Sequence, residues 1–96
     1  MKIWDTKEPW HDLADFMSQI SERAYYAGWM RGLEYALWDA VRNGPRTYGE
    51  IEIDSETIAE LRRLSALCGG WVRYSDDEEE FVPLVEWERF YASEKR

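Results

Sequence analysis

The sequence predicts an α+β domain: a long N-terminal helical segment, straight or bent, packed with a small three-stranded antiparallel sheet and two further helices. Three observations carry that expectation. Residues 10–42 contain no proline, and their apolar side chains recur at helical spacing. Residues 46–53 switch to two-residue alternation. Gly69-Gly70 then separates a stripe at three-to-four spacing from two short runs rich in aromatic and β-branched residues. At 96 residues the chain reads as one domain, 1–96, with a helical part (1–44) and a strand–helix–hairpin–helix part (45–96).

The helical part starts where Asp5 or Thr6 can cap and Pro9 suits a first turn. It stops at Asn43-Gly44-Pro45, a C-terminal glycine followed by a proline. On a helical wheel Trp10, Leu13, Phe16, Met17, Ile20 and Ala24 share one side. Tyr26, Trp29, Met30, Leu33, Leu37 and Val41 fall almost opposite. Two structures produce such a jump. The chain breaks near Ala27-Gly28 into two helices, or one continuous helix buries its halves against different bodies. The second option implies a partner chain or a homodimer.

Arg46–Ile53 (RTYGEIEI) reads as one half-buried strand with Glu50 and Glu52 on its solvated face. Asp54 or Ser55 caps the next helix, whose inward stripe is Ile58, Leu61, Leu64, Leu67 and Cys68. Trp71–Tyr74 and Phe81–Leu84 form a hairpin, with Pro83 marking an edge or an end. A last helix spans about Val85 to Ser93, with Trp87 and Tyr91 one turn apart.

Charge narrows the function. The formal net charge is −8, and 13 of the 20 acids lie in residues 50–96. Direct contact with nucleic acid or an anionic membrane is disfavoured, because both select a basic footprint. No apolar run approaches the roughly 20 residues that span a bilayer. The start, Met1-Lys2-Ile3-Trp4-Asp5, lacks the apolar centre of a signal peptide, so the expected location is cytoplasmic. Cys68 is the only cysteine, which excludes an internal disulfide and a multi-cysteine zinc site. It falls on the inward stripe and reads as a small core residue.

Catalytic patterns are thin, and no enzyme is expected. His11 is the single histidine; with Asp15 it offers two ligands, too few for a metal site. Gly69-Gly70 follows a helix instead of preceding one, so no phosphate loop is present. The acid run lacks the alternating ligands and central glycine of a calcium loop. No cofactor is implied.

The informative stretch is SDDEEE at Ser75–Glu80. Asp76, Asp77, Glu78, Glu79 and Glu80 follow one another without a cation. Such a run keeps a hairpin tip soluble and guards edge strands. It also suits a basic partner protein, which an acidic surface attracts and orients. One three-stranded sheet would bring Glu50 and Glu52 beside the run. Trp38, between Glu34 and Arg31 on the wheel, and Tyr35 next to it are the candidate apolar anchors.

The six residues Ala36-Leu37-Trp38-Asp39-Ala40-Val41 resemble part of a helix in barstar-type ribonuclease inhibitors. The likeness extends no further and assigns neither fold nor function. In size and charge alone the chain is similar to small acidic inhibitors: phage anti-defence proteins, anti-CRISPR proteins and bacterial immunity proteins. The expected function is therefore a non-catalytic inhibitor of a basic, nucleic-acid-processing protein. The alternatives are a structural homodimer or toxin-immunity-type interaction protein, and, last, a small enzyme.

Overall fold

A computed structural model of the chain describes residues 8–26, 32–48, 51–75 and 78–94. Four helices and two antiparallel hairpins follow one another as α1 (Pro9–Tyr26), α2 (Leu33–Asn43), β1 (Arg46–Tyr48), β2 (Ile51–Ile53), α3 (Ser55–Cys68), β3 (Gly70–Ser75), β4 (Glu78–Pro83) and α4 (Leu84–Glu94).

Helix α1 opens with Pro9, whose missing N–H costs nothing in a first turn. The Glu8 backbone N–H donates to Nδ1 of His11 at 2.9 Å, so a side chain one turn on satisfies a donor at the helix start. Leu13, Ala14, Met17 and Ile20 are buried, as their helical spacing requires.

The N-terminal segment is not one continuous helix. Gly32 sits at φ +84°, in the left-handed region, and α2 begins immediately after it. A right-handed helix cannot run through that conformation, and glycine adopts it without a Cβ penalty. The jump in the apolar stripe therefore reflects two helices. Ala27, Gly28, Trp29 and Met30 lie outside the described residues. Of the displaced stripe, Leu33, Leu37 and Val41 are buried within the same chain.

The expected three-stranded sheet is likewise two separate two-stranded ones. Residues 46–53 fold back on themselves, pairing Arg46 with Ile53, Thr47 with Glu52 and Tyr48 with Ile51. The second sheet pairs β3 with β4, from Gly70–Pro83 to Ser75–Glu78. Alternation is the same for one strand as for two halves of a hairpin, so Ile51 and Ile53 are still buried and Glu52 still exposed. The overlooked signal was Gly49, a residue that punctuates strands.

Helix α3 follows its sequence cues. Asp54 caps it by accepting from the Thr57 N–H at 2.9 Å, and Gly69 closes it by donating to the Ser65 carbonyl at 2.9 Å. Ile58, Leu61 and Leu64 point inward, but Leu67 is 63 % exposed.

The core is organised around β3, which packs against all four helices. Trp71 and Val72 are adjacent and both fully buried, so this strand is covered on its two faces. Trp71 meets Trp38 of α2 edge-on at 4.9 Å and lies 6.3 Å from Trp87 of α4. The Trp71 indole N–H donates to the Glu34 carbonyl at 2.9 Å, which ties β3 to α2. At the start of β3, a Cβ on Gly70 would collide with the Phe81 ring and the Val82 carbonyl. Glycine is therefore the residue that lets β4 approach.

Candidate functional site

The β3–β4 ribbon is the element that presents the acid run. Its strands are longer than the expected 71–74 and 81–84, and so three of the five acids of the run are strand and not turn. Glu78, Glu79 and Glu80 are the first three residues of β4, and all three are exposed. Asp76 and Asp77 lie outside the described residues.

Pairing register sets what each glutamate faces. Glu78 and Glu80 share a face with Trp71, Arg73 and Val82; Glu79 shares the other with Val72, Tyr74 and Phe81. On the first face, Arg73 holds its guanidinium over the Phe90 ring of α4, 4.6 Å from the centroid. On the second, Glu79 accepts from the Ser18 hydroxyl of α1 at 3.2 Å, and Trp10 of α1 lies 6.1 Å from Phe81. The ribbon is thus held by α1 on one side, as far out as Glu79, and by α4 on the other. Among the described residues, neither Glu78 nor Glu80 takes part in an ion pair.

The other candidates are distributed differently. Glu52 is exposed but belongs to the β1–β2 hairpin, so no shared sheet aligns it with Glu78–Glu80. Glu50 lies outside the described residues. Trp38 is 6 % exposed and packed on Trp71, which makes it a core residue and not a surface anchor. Tyr35 is partly buried and stacks on Trp87 at 4.8 Å. Both aromatics face inward because the surface of α2 that carries Glu34 is itself covered.

Two features were not foreseen. The first is Asp39, nearly buried on α2, whose carboxylate accepts from three elements. Asn43 donates to Oδ1 at 3.0 Å, Tyr91 of α4 donates to Oδ1 at 2.6 Å, and Arg46 of β1 pairs with Oδ2. Beside it Arg42 donates from Nη1 to both carboxylate oxygens of Glu88, at 2.9 and 3.0 Å. These contacts clamp α4 and β1 to the end of α2.

The second is an open cleft of about 310 Å³ between α1 and α3, lined by Asp12, Asp15, Phe16, Glu60, Arg63 and Leu67 among others. Arg63 is committed to Glu60 at 2.7 Å, and each raises the other's preference for the charged form through that bond.

Among the described residues no group of three or more His, Cys, Asp or Glu is placed to hold a metal ion. Cys68 is half-buried, its thiol directed to the Ser65 and Gly70 carbonyls, and burial pushes its pKa up, away from the thiolate that reactivity needs. No described helix is long and apolar enough to cross a membrane. The chain matches no protein-family model, no curated protein sequence and no solved structure.

Proposed function

We propose that the chain is a non-catalytic, acidic binding protein whose β3–β4 hairpin engages a basic surface on a partner protein. One observation supports this reading above the others. Glu78, Glu79 and Glu80 are exposed in succession on a ribbon whose base, Trp71 and Val72, is locked in the core. A charge run on an anchored strand loses little freedom when it binds, and preorganisation of that kind favours affinity. A cleft that ordinarily takes a phosphate backbone is the partner chemistry such carboxylates fit, since its Lys and Arg side chains are already arrayed for successive negative charges. The inhibitor reading follows, because an occupant of that cleft excludes the nucleic acid.

The test compares the wild-type chain with E78Q/E79Q/E80Q as baits for proteins in a cell lysate. Glutamine preserves size and removes charge. The reading predicts basic proteins that the wild type retains, that the variant does not, and that salt elutes. Identical sets retained by both baits would reject it.

A further inference from the structure

We propose that Glu34 is a proton-operated latch between α2 and β3: neutral, it seats the helix against the strand; ionised, it strains the seam. The proposal is independent of the hairpin's role.

Position comes first. Glu34, Leu37, Trp38 and Val41 follow the i, i+3, i+4, i+7 pattern of a buried helical stripe, and all four are buried. Glu34 is only 5 % exposed. Its Oε2 has no hydrogen-bond partner among the described residues. One oxygen of the buried carboxylate thus lacks a donor to stabilise its charge.

The surroundings agree. From β3, Arg73 acts on Glu34, and Glu34 in turn acts on Tyr74. Arg73 attracts its charge, yet the guanidinium is stacked over Phe90 and makes no ion pair with it. The Tyr74 hydroxyl is also buried. From β4, Glu79 acts on Tyr74; from α1, the Ser18 hydroxyl lies beside it. Burial outweighs the help that Arg73 and the residue's own backbone N–H give to the charged form, and the Glu34 carboxyl titrates above the usual glutamate range. Neutral, the carboxyl gains an O–H donor, and the uncompensated charge disappears.

The sign follows from linkage. A carboxyl whose pKa rises on folding binds its proton more tightly in the folded chain. Its contribution is present at and below the ordinary glutamate value and is lost as pH rises through the higher folded value. The seam itself has a reporter, because the Trp71 indole N–H donates to the Glu34 carbonyl.

The experiment measures the folding equilibrium constant of the wild type and of Glu34→Gln by urea titration from about pH 4 to about pH 8, spanning the ordinary carboxyl range and beyond. The variant-to-wild-type ratio is expected to rise with pH, by up to about tenfold per unit inside the titration window, and then level off. Protection of the Trp71 indole N–H against exchange should fall over the same window in the wild type and not in the variant. A ratio that is flat or falls with pH overturns the proposal. Should Glu34→Gln fail to fold, a carbon-13 titration of the wild-type side chains decides. A Glu34 midpoint above the ordinary glutamate value supports the latch, and one at or below it overturns it.

Discussion

Replacing Asp39 by alanine should weaken the fold more than any other single loss of a charged side chain outside the hydrophobic core. The structure allows the magnitude to be worked out contact by contact. The Asp39 side chain is 10 % exposed, and it accepts from Asn43, Tyr91 and Arg46. Tyr91 loses a 2.6 Å bond in a half-buried setting, and an unsatisfied hydroxyl there costs about 1–3 kcal/mol. Arg46 is 40 % exposed and regains water, so its loss adds only about 0–1 kcal/mol. Asn43 is exposed and resolvates. The total is roughly 1–4 kcal/mol, a large share of the about 5–15 kcal/mol typical of such a domain. In urea, with a slope of about 1–3 kcal/mol/M, the midpoint should fall by on the order of 1 M at unchanged slope. A double-mutant cycle with Tyr91→Phe should return a coupling of about 1 kcal/mol or more. A variant within about 0.5 kcal/mol of wild type, the usual range for a plain surface position, or strict additivity with Tyr91→Phe, would refute the assignment of Asp39 as a clamp.

Other parts of the fold make equally direct predictions. Gly70→Ala drives a Cβ into the Val82 carbonyl, which cannot rotate away, and should cost at least about 1–3 kcal/mol by thermal or urea denaturation. A neutral result would mean that the ribbon relaxes freely. Burial, reinforced by Glu79 and Glu34 and opposed by Ser18, pushes the Tyr74 hydroxyl up to about 12. Stability tied to the neutral phenol should therefore hold up to the ordinary tyrosine value near 10 and drain away as pH climbs towards 12. Tyr74→Phe should remove that alkaline loss, and ultraviolet titration should show one tyrosine fewer ionising late. Trp71→Leu empties space at the point where the four helices meet on β3 and should cost about 3–5 kcal/mol, measurable by the same denaturation.

Much of the architecture was legible because its signals are local. Asp54 and Gly69 bracket α3, Gly44-Pro45 ends α2, and the apolar runs on either side of the acids form a hairpin. What was not legible depends on neighbours far along the chain. The Asp39 clamp needs Tyr91, 52 residues away, and no spacing rule reaches that far. The β1–β2 hairpin was hidden because folding an alternating segment in half preserves its alternation. Glu34 is the instructive case. Its place in the Leu37–Trp38–Val41 stripe was visible in the spacing, yet a carboxylate is normally taken as a marker of the solvated face. Reading it that way also put Trp38 on the surface, when both in fact face β3. Of the acidic candidates, the structure brings Glu78, Glu79 and Glu80 together on one ribbon and leaves Glu52 on another sheet.

The claim on which the functional account depends is that β4 carboxylates drive association with a basic protein. The measurement that reaches it most directly is the affinity of a captured partner at rising salt concentration, for wild type and for E78Q/E79Q/E80Q side by side. The account predicts wild-type binding that weakens steadily with salt, and a variant that starts weaker and responds less, because fewer opposed charges remain to be screened. Equal affinity for both chains with no dependence on salt would contradict it.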